Sequence, residues 1–266
     1  MGRTYAVTGV ASGIGAALAR CLADQGHKVI GFDLREPQVP VDQFISVDLG
    51  DADSIRQAAA QVTTKLDGLC NNAGIPPRDG WEEAILQVNF LGQRAFTQQM
   101  LPHLVPGGSI VNMASRAGHG WRDNMEQVKR LAAVQDAADL RAFVQAEGLD
   151  PTRAYNLSKE AMILWTLSEA EPMLARGLRI NSLSPGGIET AILDDFRRVF
   201  GDAMARNVAR AGRPGLPEEV AEVAAFVLSP QASWLKGIDI PIDGGMGAFN
   251  ATDQLGLAAL RLPKEV

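Results

Sequence analysis

Along almost the whole chain, short runs of β-branched and aromatic residues alternate with stretches whose apolar residues recur every three or four positions. The strand-like runs are RTYAVTG, HKVIGFD, FISVDLGD, DGLCNNAG, GGSIVNMAS, GLRINSLSPGG and GIDIPIDGG. Between them lie the helix-like segments GIGAALARCLADQG, DADSIRQAAAQVTTKL, WEEAILQVNFLGQRAFTQQMLPHL, the segment containing AYNLSKEAMILW, and LPEEVAEVAAFVLS. Gly26 is the expected stop of the first helix, and Asp51 or Asp53 the expected cap of the second. Such alternation predicts a parallel sheet with helices on both faces and right-handed crossovers. There is no internal repeat, linker or composition break, so residues 1–266 are expected to form one α/β domain.

The turn after the first strand-like run reads TGVASGIG, residues 8–15. Gly9, Gly13 and Gly15 allow a tight turn and close approach of backbone to a ligand. The following helix points its free N–H groups and positive dipole end at the same place, which suits a pyrophosphate. Asp33 ends the second strand-like run, where a carboxylate can accept hydrogen bonds from the hydroxyls of an adenine ribose. It would repel the extra phosphate of NADP, although Arg35 two residues on could offset that. NAD is therefore expected in preference to NADP.

Tyr155 and Lys159 stand one helical turn apart in AYNLSKEAMILW, so both can point into one space. A cation there would favour the phenolate and make the phenol a proton acceptor near neutrality. An incidental surface pair is the plainer reading of this segment alone. Other chemistries have less support. A formal charge of −6 offers no basic footprint for nucleic acid or anionic membrane. No apolar run is long enough to span a bilayer, and no secretory leader is expected. Cys21 and Cys70 read as small buried hydrophobes, and His27, His103 and His119 lack metal-ligand spacing. The expected protein is cytoplasmic and metal-free.

TGVASGIG, NNAG at 71–74, Ser115 after a strand, YNLSK at 155–159 and PGGIET at 185–190 occur in that order. Together they resemble the classical short-chain dehydrogenase/reductase family over essentially the whole chain. The resemblance implies a Rossmann-type doubly wound sheet and an NAD-dependent oxidoreductase. It implies Tyr155 as catalytic acid/base, Ser115 as the hydrogen-bond partner of the substrate oxygen, and Lys159 on the nicotinamide ribose. Asn89 matches the position that holds a water in the proton relay. Ser12 and Ile14 belong to the phosphate turn, Asp48 and Leu49 to the adenine position, and Asn72, Ala73 and Gly74 to the wall beside the adenosine ribose. Gly186, Ile188 and Thr190 match the contacts to carboxamide and phosphates.

Ser115 and Tyr155 are farther apart than in most members of the family, separated by an insertion at about 116–150. Met125, Val128, Leu131 and Val134, then Leu140, Phe143 and Val144, recur at helical spacing and predict two short amphipathic helices. Their apolar faces are either packed on this chain, or form a dimer contact or a wall of the substrate site. His119 and Trp121 are candidates for that wall. Similar insertions occur in the branch of the family that holds 3α-hydroxysteroid dehydrogenase/carbonyl reductase and the coniferyl-alcohol dehydrogenases. DGLCNNAG, GGSIVNMAS and KGIDIPIDGG resemble the latter more. A substrate lid is expected at about 190–213, offering Ile192, Leu193, Phe196, Val199, Phe200 and Met204, and the tail from Met246 could also close the pocket.

The expected substrate is a small hydrophobic alcohol or carbonyl compound, and the expected assembly a homodimer or homotetramer. A hydroxysteroid dehydrogenase/carbonyl reductase activity is one alternative. A non-catalytic NAD-binding sensor on the same fold is another, as is dehydration or epimerisation. A pure binder has no need of Asn89, Ser115, Tyr155 and Lys159 together.

Overall fold

The structure, a computed structural model, describes residues 2–190, 201 and 205–262. The first half runs β1 (Thr4–Thr8), α1 (Gly13–Asp24), β2 (Lys28–Asp33), β3 (Gln43–Ser46), α2 (Ala52–Ala60), β4 (Leu66–Asn71), α3 (Glu82–Leu86) and α4 (Gly92–Met100). Then follow β5 (Leu104–Met113), α5 (Met125–Ala132), α6 (Ala137–Ala146), α7 (Pro151–Ser168), α8 (Ala170–Ala175) and β6 (Arg179–Pro185). The described chain closes with α9 (Pro217–Leu228), β7 (Asp239–Ile242) and α10 (Met246–Leu255). All seven strands form one sheet in the order β3-β2-β1-β4-β5-β6-β7, and every neighbouring pair is parallel. Succession reverses between β1 and β4, and in sheets of this kind ligands bind at that crevice, beyond the carboxyl ends of the strands.

Both faces of the sheet are covered, so its inner strands are apolar on both sides. Tyr5 and Val7 pack with Leu18 and Leu22 of α1 and Val220, Ala224 and Val227 of α9. Ala6, between them, faces the opposite layer with Ile30, Ile55 of α2, and Phe96 and Met100 of α4. Gly26 sits at φ +79 just past α1, the left-handed position expected of a helix stop. Asp51 caps α2, accepting from Asp53 N at 2.8 Å. Asp51→Ala should lower stability by about 1 kcal/mol, read as a fall in the urea unfolding midpoint.

Two elements depart from expectation. α2 ends at Ala60 rather than continuing to Leu66, because the β-branched Val62, Thr63 and Thr64 disfavour another turn before β4 begins. The long segment starting at Trp81 is not one regular helix, for residues Gln87–Leu91 form a π-helical turn between α3 and α4. Edge strand β7 carries Pro241 in its interior, a position that edge strands tolerate.

The insertion forms the two helices read from its periodicity, α5 and α6. Their apolar faces pack on this same chain. Val128, Leu131 and Leu140 are buried with Ile85 and Leu86 of α3, Phe90, and Ala154, Leu157 and Ala161 of α7. The insertion is therefore built against the helix that carries Tyr155.

Candidate active site

Gly9 (φ +76) and Gly13 (φ +56) hold the first turn in conformations that a side chain resists. A Cβ on Gly9 would lie 2.7 Å from Asn72 Nδ2, and one on Gly13 would press on the Thr190 methyl at 3.3 Å. Ser12 is the N-cap of α1, yet its side chain caps nothing, so the first N–H groups of the helix stay open to the cleft. Asp33 buttresses the turn, Oδ2 accepting from Ala11 N at 3.0 Å and Oδ1 from Arg35 N at 3.1 Å. Each carboxylate oxygen keeps a second lone pair for a ligand.

Thr8 ties β1 to the NNAG turn, its Oγ1 accepting from Asn72 N at 2.9 Å and Ala73 N at 3.0 Å. Asp48 folds back on its own backbone, Oδ1 accepting from Gly50 N at 2.7 Å. Ile188 bridges to Gly215 beyond β6. The arrangement suits a dinucleotide. Its glycine cradle is one that a Cβ would fill, above an uncapped helix terminus, with a carboxylate at the end of β2.

At the other end of the cleft, Ser115 follows β5 as the cap of a 3₁₀ turn, Arg116–Arg122. Its side chain hydrogen-bonds the hydroxyl of Tyr155. Tyr155 is 7% exposed and Lys159 5%. Lys159 Nζ donates to Met113 O at 2.9 Å and lies 5.7 Å from the centre of the tyrosine ring. The spacing of four on α7 thus brings all three groups together.

Their electrostatics differ from the sequence argument in one respect. The lysine was expected to lower the tyrosine pKa. With the chain's own groups alone, burial raises the Tyr155 pKa, and only the Ser115 hydrogen bond pulls it back. Burial also pushes Lys159 down to about 8. Both groups are desolvated, and the ammonium is spent on the Met113 carbonyl rather than on the phenol oxygen, so desolvation wins.

Asn89 stands in the π turn, and such turns collect at functional positions. Its Oδ1 accepts from Ile75 N at 2.8 Å and its Nδ2 donates to Ile75 O at 3.0 Å. With both side-chain groups committed, Asn89 clamps the loop after β4. A Cβ on neighbouring Gly74 would stand 3.1 Å from Asn89 Oδ1 and 3.7 Å from Lys159 Nζ.

These groups share one cleft of about 710 Å³. Sixteen of the expected site residues line it. Asn89 does not, because it acts from behind Gly74 and Ile75. Gly15 does not either. A Cβ there would strike Gly9 O and Asn72 Nδ2, so Gly15 lets α1 pack against the turn instead of touching a ligand. His119 and Trp121 are likewise absent from the lining. Trp121 packs on Ala114, Met162 and Ile163, and His119 contacts Arg116. The expected lid residues Ile192 to Phe200 and Met204 lie outside the described residues.

Sequence reasoning missed Trp81, Val88 and Arg116 in the lining, and named Met246 only as part of a tail. Arg116 pairs with Asp243 at 3.1 Å. Asp243 Oδ2 in turn accepts from Gly247 N at 2.9 Å, so the turn holding Ser115 is tied to the start of α10. No short motif signals a contact between residues so far apart in the chain.

A doubly wound parallel sheet whose phosphate turn and Ser/Tyr/Lys set open on one cleft defines a nucleotide-dependent oxidoreductase scaffold. Comparison with known proteins agrees. The family profile described as short chain dehydrogenase matches residues 3–126, and one described as enoyl-(acyl carrier protein) reductase matches 139–247. Coniferyl-alcohol dehydrogenase of Pseudomonas sp. (strain HR199 / DSM 7063) is 37% identical over 91% of this chain and 95% of its own. The 3-alpha-hydroxysteroid dehydrogenase/carbonyl reductase of Comamonas testosteroni is 33% identical over 91% and 95%. Among solved structures, 3-alpha-hydroxysteroid dehydrogenase from Pseudomonas sp. B-0831 complexed with NADH superposes with a TM-score of 0.81 at 31% identity, covering 97% of this chain and all of that one. The chain belongs to the classical short-chain dehydrogenase/reductase family. It is an oxidoreductase of a family that uses a nicotinamide cofactor, and among its described residues no helix is long and apolar enough to cross a membrane.

Proposed function

We propose that this chain is an NAD-dependent dehydrogenase interconverting a hydrophobic alcohol, aromatic or allylic in type, with its aldehyde or ketone. The observation that carries the reading is the meeting of Ser115, Tyr155 and Lys159 in the same cleft as the glycine turn. NAD, when bound, supplies the acceptor for the hydride leaving the carbinol carbon. Gly9, Ser12, Gly13 and Ile14, with the N-terminus of α1, hold the pyrophosphate, with Gly15 setting the packing beneath. Asp33 takes the adenine ribose, Asp48 and Leu49 the adenine, and Asn72, Ala73 and Gly74 the wall beside the ribose. Lys159 holds the nicotinamide ribose, and Gly186, Ile188 and Thr190 the carboxamide and phosphates.

During oxidation Tyr155 Oη takes the hydroxyl proton of the substrate while Ser115 Oγ fixes the oxygen that loses it. Burial raises the phenol's pKa, so the phenolate needs positive charge close by. A unit charge about 6 Å away is worth about 3 kcal/mol in a site of effective dielectric near 20, about two pKa units. Lys159 provides this once its proton is directed to the ribose and phenol rather than only to Met113 O. Asn89 steadies the loop beside Lys159, and its main chain is the part left to hold a relay water.

The cleft is also bordered by Ile75, Pro76, Trp81 and Met246, and Ile75 packs in the apolar cluster that holds Tyr155, which suits an apolar, planar molecule. Similarity to coniferyl-alcohol dehydrogenase favours an aryl-allylic alcohol. A hydroxysteroid or carbonyl substrate is the second reading, favoured by the backbone match to the hydroxysteroid enzyme. Absorbance of reduced nicotinamide, followed with benzylic, allylic and steroid alcohols, tests both. Turnover fastest with allylic aryl alcohols is expected, turnover fastest with steroids would select the second reading, and silence across the panel would favour a non-catalytic NAD sensor. Asp33→Ala should weaken NAD binding about tenfold or more, since charge-assisted hydrogen bonds are worth roughly 1.5–3 kcal/mol, and leave NADP binding little changed. Equal losses in a titration of both nucleotides would refute the NAD preference. We read residues 1–266 as one domain, in a cytoplasmic homodimer or homotetramer whose mass in solution can be measured directly.

A further inference from the structure

Glu160 follows Lys159 on α7 and is 2% exposed, the one acidic side chain so buried among the described residues. It does not line the cleft. Arg153 grips it from one side, Nη1 donating to Oε1 at 2.9 Å and Nη2 to Oε2 at 2.6 Å. Asn124 Nδ2 adds a bond to Oε1 at 2.8 Å from the segment just before α5. Arg153 also reaches into α5, its Nε donating to Gln127 Oε1 at 3.0 Å. Gln127 Nε2 donates onward to Glu147 Oε2 at 2.9 Å, and Arg130 Nε to Glu147 Oε1 at 2.7 Å. Polar contacts therefore run without a break from the insertion to the helix of Tyr155 and Lys159.

The backbone adds a second contact at the same place. A Cβ on Gly118 would lie 2.7 Å from Lys159 C and O, and one on Gly120 2.9 Å from Glu160 Oε1. The turn that begins at Ser115 thus presses directly on the peptide of Lys159. Buried ion pairs contribute little net stability, and fixing one register among alternatives is their best-attested use. Here the register is the rotation of α7. Arg153 and Glu160 sit two turns apart and bracket Tyr155 and Lys159 along the helix.

We propose that Glu160 and Arg153 are positioning residues, through which the insertion at 116–150 fixes the aim of Tyr155 and Lys159. This rests on the reading of Tyr155 and Lys159 as the acid/base pair. Glu160→Gln keeps the shape of the side chain and removes its charge. It should lower kcat about 10- to 100-fold, as a small misplacement of reacting groups does, while KM for the alcohol changes less than about twofold. The pH midpoint of kcat should move by about half a unit or more, because the surroundings of Tyr155 change. Asn124→Ala removes one of the bonds to Glu160 and should shift both readings the same way by less, so the inference stays testable if Glu160→Gln does not fold. A folded variant with wild-type kcat and pH midpoint, or one with only a lower Tm, would overturn the inference. Tyr155→Phe separates the two levels: turnover surviving there refutes the acid/base reading itself, whereas a dead Tyr155→Phe beside an unaffected Glu160→Gln refutes only the positioning role.

Discussion

Tyr155→Phe should cut turnover by about 10³-fold or more while leaving NAD affinity within about twofold, because general acid–base catalysis by one positioned group is worth roughly 10²–10⁴. The substitution removes one oxygen from a ring that is 7% exposed and belongs to the apolar cluster that also holds Leu131, Leu140 and Leu157. The ring and its packing remain, so the fold should remain too. What goes is the atom that Ser115 bonds and that would carry the proton. Kd for NAD by fluorescence titration and kcat with the best alcohol of the panel check the two halves separately. A variant that turns over at wild-type speed would remove Tyr155 from the chemistry, and the pairing with Lys159 would be ordinary packing.

Lys159→Met should do two opposite things. Turnover should fall by about 10³-fold or more, since Tyr155 loses the charge that favours its phenolate. NAD should also bind more weakly, as the ribose loses a donor. Stability, in contrast, should rise. Burial lowers the Lys159 pKa from 10.5 to about 8. The folded chain therefore holds this proton less readily than the unfolded chain does. The folded state carries its full penalty below pH 8, and the penalty fades as pH rises from about 8 toward 10.5. At about 1.4 kcal/mol per unit, the penalty at pH 7 is about 3 kcal/mol. Losing the bond to Met113 O gives back about 1 kcal/mol. Lys159→Met should thus be more stable at pH 7 by about 2 kcal/mol, a gain in Tm of about 5 °C for a chain of this size. By pH 10.5 that advantage should be gone. Equal melting points at pH 7 would mean that the lysine is not penalised by its surroundings. A gain in stability with a loss of activity would mark Lys159 as a group kept for chemistry at the expense of the fold.

The parts legible in the sequence are those set by local rules. The seven strands and the helices of both faces follow from the periods of their apolar residues, and the phosphate turn from glycines next to a helix start. Tyr155 and Lys159 could be paired because helical geometry alone puts positions four apart on one face. The rest depends on distance in the fold. The π turn at Gln87–Leu91 has no sequence signature, and the Asn89 within it bonds Ile75, fourteen residues earlier in the chain. Nothing in the sequence around Glu160 signals that Arg153 and Asn124 surround it. The burial that raises Tyr155 and lowers Lys159 is likewise invisible in a spacing of four. The insertion's two helices could be read, but not the surface against which they lie.

Pro241 in β7 carries a consequence beyond this subunit. Ser182 and Gly186 of the β6 segment donate to Ile238 O and Ile242 O, so alternation turns residues 239 and 241 toward the open margin of the sheet. A proline there deletes one of the few amide donors that margin exposes. Another polypeptide laid alongside to prolong the ladder would meet a gap at the centre of its pairing. The barrel-less sheet thereby carries its own guard against templated, fibre-like growth at that end, so copies of this enzyme would meet through side chains rather than by shared backbone pairing there.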